Sequence, residues 1–260
     1  METKKITINY KGLKLKISVD FQKASDESIV FIHGSGCSKK FFKDIWDLQK
    51  FKKFSILAYD WVGFGDSSKP VKFSYSMDNQ AEICRLLIEK LNLDKINLVC
   101  HSMGGIIGLL LTEKIPNKIV SFINLEGNLT EEDAGITKQF VSMSYKEFKK
   151  SSFNKIKKII KESKDNPPLF YKEFCRCSPF GFYYSSKSSV ECSKNEKLLA
   201  LFLNLRVKKA YFYGDKGIIK GSLNLIKNKV KTVLIPKSGH FMMIDNPDEF
   251  YSKLYSIICE

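Results

Sequence analysis

The segment INLVCHSMGGIIG, residues 96–108, places a serine between two apolar runs. The first run alternates as in a buried strand and the second has a helical pattern, so Ser102 lies at a strand-to-helix turn. Such a tight turn strains the backbone, projects the hydroxyl above the sheet edge and leaves the next amide at a helix N-terminus, where it can bind an oxyanion. Small residues are needed two positions before and after the serine. Gly104 meets the second requirement, and Cys100 meets the first approximately, so the pattern predicts Ser102 as a nucleophile.

A serine hydroxyl is a poor nucleophile until a neighbouring imidazole takes its proton, and the chain has three histidines. His33 lies next to a backbone turn, and His101 is fixed beside the serine and is expected to point away from it. Both are interpreted as structural hydrogen-bonding residues. His240 follows a strand end and a glycine, on a loop that is free to reach the serine. His240 is therefore the predicted general base.

Strand-like and helix-like runs alternate along the chain, which is typical of a mostly parallel sheet covered by helices. Strands are predicted at 6–10, 13–19, 28–32, 54–59, 96–100, 119–125, 210–213 and 232–235. The first two flank a Lys11-Gly12 turn and are predicted to pair as an antiparallel hairpin. Helices are predicted at 39–50, 76–91, 103–115, near 223–229 and at 247–258. The predicted fold class is α/β, with an eight-stranded sheet. The serine is expected at the edge of the sheet where the strand before it ends.

The alternation stops between about residues 129 and 209, where helical patterns, a Pro167-Pro168 pair and many aromatic residues occur. A structureless loop of that length is improbable within a compact domain. We therefore predict a core domain of residues 1–128 and 210–260 and a helical cap insertion of residues 129–209. The cap is expected to cover the serine.

Four motifs in this order make the chain resemble an α/β-hydrolase over most of its length apart from the insertion. The resemblance implies Ser102 as the nucleophile and His240 as the general base. It also implies an oxyanion hole formed by the backbone amides of Met103 and Ser35. The motifs are FIHGSG (31–36), YDWVGFGDSSKP (59–70), CHSMGG (100–105) and PKSGHFMMIDNPDEF (236–250).

The acidic partner of His240 has two candidates. Members of the family commonly place this acid three residues after the glycine that ends the seventh strand, but Gly217 stands there. The haloalkane-dehalogenase branch carries it at the end of the sixth strand instead, where this chain has Glu126. A carboxylate ending a buried strand is costly to desolvate unless a partner compensates. Glu126 is therefore predicted, with Asp215, one residue after the strand-ending glycine, as the alternative.

A serine nucleophile with an oxyanion hole implies acyl transfer, and hydrolysis of a carboxylic ester is the expected reaction. Dehalogenation is not expected, since that branch needs an aspartate nucleophile followed by tryptophan. Cleavage of carbon–carbon, thioester or amide bonds, acyl transfer, and a non-catalytic binding module on the same fold remain alternatives. An apolar or aromatic acyl substrate is expected. Aromatic residues of the insertion could line its pocket: Phe140, Phe148, Phe153, Phe170, Tyr171, Phe174, Phe180, Phe182, Tyr183 and Tyr184.

Charge and cysteine content limit the partners and cofactors. The net charge is +15, but the excess is mostly lysine without a basic stripe interleaved with stacking aromatics, so neither a nucleic acid nor a membrane is expected as a partner. The seven cysteines lack the spacing of a disulfide framework, and the Cys175-Arg176-Cys177 pair has no second ligand pair nearby. We therefore expect reduced thiols, no metal and no cofactor, in a cytoplasmic protein. The oligomeric state is not predicted.

Overall fold

A computed structural model of the chain describes residues 1–135, 137–216 and 221–260. Eight strands form one sheet in the order β1-β2-β4-β3-β5-β6-β7-β8. The β1–β2 and β2–β4 pairs are antiparallel, and every other neighbouring pair is parallel. The predicted α/β class and the N-terminal hairpin are confirmed. The strands are β1 (Glu2–Tyr10), β2 (Leu13–Gln22), β3 (Glu27–Ile32), β4 (Ser55–Tyr59), β5 (Asp94–His101), β6 (Ile119–Leu125), β7 (Lys208–Gly214) and β8 (Lys231–Ile235).

Burial along the strands explains why the sequence patterns differ between the sheet edge and its centre. In β1 the residues after Lys4 alternate between less and more buried positions, as expected for an edge strand with one covered face. Every residue of β4 is buried, and so are the last five of β3, because helices cover both faces of the parallel part. The continuous apolar runs of the central strands therefore indicate that both faces of these strands are buried.

Eleven α-helices occur in the described residues. Ser76 caps α1 by accepting a 3.1 Å hydrogen bond from the amide of Asn79, and Pro247 lies in the first turn of α11. The helices are α1 (Met77–Lys90), α2 (Gly104–Lys114), α3 (Thr137–Val141), α4 (Tyr145–Glu147), α5 (Phe153–Glu162), α6 (Pro168–Phe174), α7 (Pro179–Cys192), α8 (Lys197–Asn204), α9 (Gly221–Ile226), α10 (Met242–Asp245) and α11 (Pro247–Cys259).

The helix predicted at 39–50 differs from the structure. Two 3-10 helices, Lys39–Asp47 and Gln49–Phe51, occupy this stretch. Leu48 between them has φ −88° and ψ 109°, an extended conformation that ends the first helix. Apolar side chains of the first helix, including Phe41 and Phe42, are buried, so packing rather than regular α-helical geometry determines this segment.

Six of the eleven helices, α3 to α8, lie between β6 and β7, in the stretch for which helices were predicted. A π-helical turn at Phe148–Ser152 joins α4 to α5. Strand β7 begins at Lys208, so its first two residues fall within the stretch 129–209 predicted as the insertion. Throughout the described residues, no helix is both long enough and apolar enough to cross a membrane.

Candidate active site

Ser102 lies in the short connection between β5 and α2 and has a φ of 54°, in the left-handed region that non-glycine residues seldom adopt. Hydrogen bonds hold this conformation from both sides. The Ser102 amide donates to the Leu125 carbonyl at 3.0 Å, and the Ser102 carbonyl accepts from the Gly105 amide at 2.8 Å. The neighbouring strand and the first turn of α2 therefore fix the turn that carries the hydroxyl.

Two glycines allow the end of β3 to approach this turn closely. A Cβ on Gly104 would lie 2.5 Å from the carbonyl oxygen of His33, and a Cβ on Gly34 would lie 3.0 Å from the Cβ of Ser102. Ser35 and Met103 line the same cavity as the serine. Within residues 1–135, 137–216 and 221–260, neither of their amides has a hydrogen-bond acceptor. The arrangement leaves two donors beside the serine where an oxyanion can be bound.

Cys100 stands where the family pattern has glycine, and the structure accommodates it. A Cβ on Gly108 would lie 2.4 Å from the Cys100 sulfur and 3.0 Å from the Phe122 ring. Gly108 on α2 therefore leaves the space that the thiol occupies. Burial raises the pKa of Cys100 well above its ordinary value, so this thiol stays protonated and unreactive.

Overpacking against Cys100 is expected to cost about 1–3 kcal/mol when Gly108 is replaced by alanine. Alanine in a helix interior is more favourable than glycine by about 1 kcal/mol, which offsets only part of this cost. Urea unfolding measures the change. In a Cys100→Ala background the same substitution should cost less, with Phe122 still limiting the space. An equal cost in both backgrounds would contradict the packing of Cys100 against Gly108.

His240 and Glu126 form a side-chain pair at the carboxyl edge of the sheet. The Nδ1 atom of His240 lies 2.8 Å from Oε2 of Glu126, and because a carboxylate only accepts, Nδ1 carries the proton. The other carboxylate oxygen accepts a 2.9 Å hydrogen bond from the Gly214 amide. The Glu126 side chain is 2% exposed. Both of its oxygens are therefore satisfied, and Nε2 of His240 is left as a proton acceptor.

His101 and His33 have structural partners. Nε2 of His101 donates to the carbonyl of His240 at 2.9 Å, which ties the loop of His240 to the end of β5. Nδ1 of His33 donates to the Gly34 carbonyl at 2.7 Å, and its Nε2 accepts from the Trp61 amide at 3.2 Å. Burial lowers the pKa of His33 to about 3 and that of His101 well below its ordinary value. Both rings are therefore neutral.

Asp215 bonds to backbone amides, and the partner of the histidine is Glu126. Its two oxygens accept hydrogen bonds from the amides of Lys237, at 2.8 Å, and Ser238, at 3.1 Å. These bonds lower the pKa of this exposed carboxyl group. Gly217, which occupies the position usual for the acid, lies outside the described residues. The structure thus brings Glu126 to His240 and uses Asp215 to hold the loop that leads to His240.

A cavity of about 340 Å³ contains Ser102 and His240, and most of its wall is apolar. Four of the ten aromatic residues singled out in the insertion line it. Others, such as Phe148 and Tyr183 with ring centroids 5.2 Å apart, pack within the insertion. The apolar side chains contributed by the insertion are Phe140, Ile156, Ile159, Ile160, Phe170, Phe174 and Phe182.

An ionic cluster fixes α6 over this cavity. Glu173, whose side chain is fully buried, lies 3.1 Å from Lys40 and 2.8 Å from Arg176, and Arg176 also contacts Asp66. Burial would raise the pKa of Glu173, but hydrogen bonds from Lys40 and Ser38 and the charge of Arg176 outweigh it and lower the pKa. The carboxylate is therefore ionised and joins the insertion to the 3-10 helix that follows β3, and Arg176 joins it to the turn that follows β4.

Sequence reasoning missed three residues of this region. His101 was interpreted only as structural, although it positions the backbone of His240. Asn128 donates its amide to the Ser102 carbonyl at 3.3 Å, and its side chain lines the cavity. Only its position two residues after Glu126 could have pointed to it. Glu173 gave no signal, because its partner Lys40 is 133 residues distant.

Comparison with known proteins gives matches to one family. The profile of the family described as alpha/beta hydrolase fold matches residues 27–158. A putative esterase/lipase of Mycoplasma genitalium is 30% identical over 95 residues, covering 36% of this chain and 35% of the relative. A probable lysophospholipase of Arabidopsis thaliana is 34% identical over 101 residues, covering 36% and 23%. The chain spans between about a quarter and two fifths of the length of the curated relatives it matches.

Two solved structures have the same fold over nearly the whole chain. An esterase from Exiguobacterium antarcticum superposes with a TM-score of 0.76 at 19% identity, covering 95% of this chain and 97% of the other. A bromoperoxidase from Bacillus anthracis superposes with a TM-score of 0.80 at 17% identity, covering all of both chains. Identities this low establish the fold and not the substrate.

Proposed function

The chain belongs to the alpha/beta hydrolase fold family, and from that premise we propose that it is a serine hydrolase that cleaves carboxylic esters through an acyl-enzyme. One observation carries the proposal. A serine in a strained turn, two amides without acceptors among the described residues and a histidine bonded at 2.8 Å to a buried carboxylate meet at one apolar cavity. Placement of the acid after the sixth strand, as in the haloalkane-dehalogenase branch, is part of the proposal.

The proposed reaction starts with attack of the Ser102 oxygen on the ester carbonyl carbon, while Nε2 of His240 accepts the hydroxyl proton. Glu126 holds the Nδ1 proton and stabilises the imidazolium. The amides of Met103 and Ser35 bind the oxyanion of the tetrahedral intermediate. The imidazolium protonates the departing alkoxide, and an acyl-enzyme remains.

Water completes the cycle by the same route. His240 accepts a proton from the water as its oxygen attacks the acyl carbon. Collapse of the second tetrahedral intermediate breaks the bond to the Ser102 oxygen, which regains a proton from the imidazolium. The carboxylic acid leaves, and the enzyme returns to its starting state without net gain or loss of protons beyond ionisation of the product.

Labelling with a fluorophosphonate tests the serine directly. Such a probe phosphonylates an activated serine, so the intact mass of the protein should rise by one adduct that peptide mapping places on Ser102. The Ser102→Ala variant should give no adduct. A wild-type chain that folds but takes no label and hydrolyses no ester would favour the non-catalytic binding module.

The apolar cavity leads to an expected preference for longer acyl chains. Each methylene that enters the cavity contributes about 0.8 kcal/mol, so kcat/KM should rise about fourfold per methylene until the cavity is filled. A series of p-nitrophenyl esters of increasing acyl length measures this dependence. Rates that fall steadily from the acetyl ester onwards would contradict acyl binding in this cavity.

A further inference from the structure

The stretch of residues 145–164, within the helical insertion, concentrates positive charge. Twenty residues carry eight of the chain's forty lysines and only two glutamates, a net charge of +6. Seven of the eight lysines are exposed, and Lys157 is partly exposed. The lysines are Lys146, Lys149, Lys150, Lys155, Lys157, Lys158, Lys161 and Lys164.

Four of these lysines, Lys155, Lys157, Lys158 and Lys161, lie on helix α5. Its buried residues Phe153, Ile156 and Ile160 follow the spacing of one helical face, so the polar residues between them face solvent. Among the described residues, only Lys158 of the eight lies within 4 Å of a carboxylate, at 3.9 Å from Glu162. We call the exposed side chains of these lysines, together with Ile159, the basic face. Its charge is therefore largely uncompensated.

The basic face borders the mouth of the candidate active site. Ile159 is 59% exposed and also lines the cavity that contains Ser102. A neighbouring groove of about 450 Å³ is lined by Lys161 and Lys164 and by no carboxylate of the described residues, and it shares Ile160 with that cavity. Cationic groups of the insertion thus lie beside the cavity.

We propose that the basic face binds an anionic lipid surface and brings the mouth of the cavity to that surface. Lysines near such a surface are attracted to it, and Ile159 supplies an apolar side chain that can enter the interface. The face has no arginine, and Phe148 and Phe153 beneath it are buried, so these two rings cannot stack on bases. Tyr171 in the neighbouring groove is partly exposed and lies against Lys161. The sequence predicted no membrane partner, and this proposal replaces that prediction.

Entry of an ester from the lipid layer into the cavity rests on the proposed hydrolase function, whereas binding to the layer does not. The two are tested separately for that reason. Surface binding is measured by sedimentation with lipid vesicles, which needs no catalysis. Hydrolysis is measured on p-nitrophenyl acetate, a soluble ester that needs no surface.

The binding test compares vesicles of phosphatidylcholine with vesicles containing equal parts of phosphatidylcholine and phosphatidylglycerol. The wild-type chain should sediment with the anionic vesicles only, and added salt should release it because it screens the charges. The triple variant K150Q/K155Q/K158Q should bind about a hundredfold more weakly, since each lysine near an anionic surface contributes about 1 kcal/mol. Its hydrolysis of p-nitrophenyl acetate should equal that of the wild type.

A matched control removes the same charge from the N-terminal hairpin, in the variant K5Q/K14Q/K16Q. These three lysines are also exposed, and this variant should bind anionic vesicles like the wild type. Equal weakening by both triple variants, or no binding by the wild type, would overturn the proposal. Tighter binding to duplex DNA than to anionic vesicles would overturn it in favour of a nucleic-acid partner. If the wild type binds vesicles but hydrolyses no ester, the proposed function is contradicted and the proposed surface binding stands.

Discussion

Replacement of Ser102 by alanine is expected to lower kcat for ester hydrolysis by about 10⁴-fold or more, because the hydroxyl is the only atom lost and the acyl-enzyme cannot form without it. Steady-state turnover of a p-nitrophenyl ester measures the effect. The variant should fold at least as stably as the wild type, since the hydroxyl has no hydrogen-bond partner among the described residues. Circular dichroism and urea unfolding check this.

Ser35→Ala is the matched control for that experiment. Ser35 lines the same cavity, and the substitution removes its hydroxyl but keeps its backbone amide, which is the proposed oxyanion donor. Turnover should stay close to that of the wild type. If Ser35→Ala lost as much activity as Ser102→Ala, or if Ser102→Ala kept substantial turnover, the assignment of the nucleophile would be wrong.

Replacement of Glu126 by glutamine is expected to lower kcat by about 10³- to 10⁴-fold with little change in the fold. The glutamine oxygen can still accept from the Gly214 amide, so its NH₂ group would face Nδ1 of His240. A donor at that position favours the tautomer with the proton on Nε2, which then cannot accept the proton of Ser102. Steady-state kinetics of the purified variant measures the loss.

Asp215→Asn is the comparison that separates the two candidate acids. Asp215 bonds the amides of Lys237 and Ser238 and is exposed, so the variant should lose far less turnover than Glu126→Gln. A large loss confined to the Asp215 variant, with its urea midpoint unchanged, would reverse the assignment. A loss of activity that follows a loss of stability would instead reflect the loop that Asp215 holds.

The strands were predictable because their apolar periodicity is a local property of the sequence. The prediction at 119–125 coincides with β6, and the other strands differ from their predictions by a few residues at the ends. The stretch at 39–50 was less predictable, because Leu48 breaks the helix while Phe41 and Phe42 are held by distant parts of the core. Tertiary packing overrides local preference there.

The candidate site was predictable where each residue sits at the end of a recognisable element. Ser102 follows β5, Glu126 follows β6 and His240 follows β8, so strand ends alone bring them to one edge. Contacts between remote segments were not predictable. The bond from His101 to the His240 carbonyl and the salt bridge from Lys40 to Glu173 join residues more than 130 positions apart, and no local pattern encodes them. The division into core and cap at 129–209 stays a prediction.

The positive φ angles of Ser102 and Glu126, 54° and 43°, have a consequence for how this protein can lose its activity. A non-glycine residue in the left-handed region costs about 1–2 kcal/mol, and glycine avoids that cost. A gene copy released from selection for turnover would therefore gain stability by mutating Ser102 to glycine, whereas the same change at Glu126 would leave the buried Gly214 amide without its acceptor. Inactivation at Ser102 is therefore thermodynamically favourable, so descendants inactivated at that position are expected to be more stable than their active ancestor.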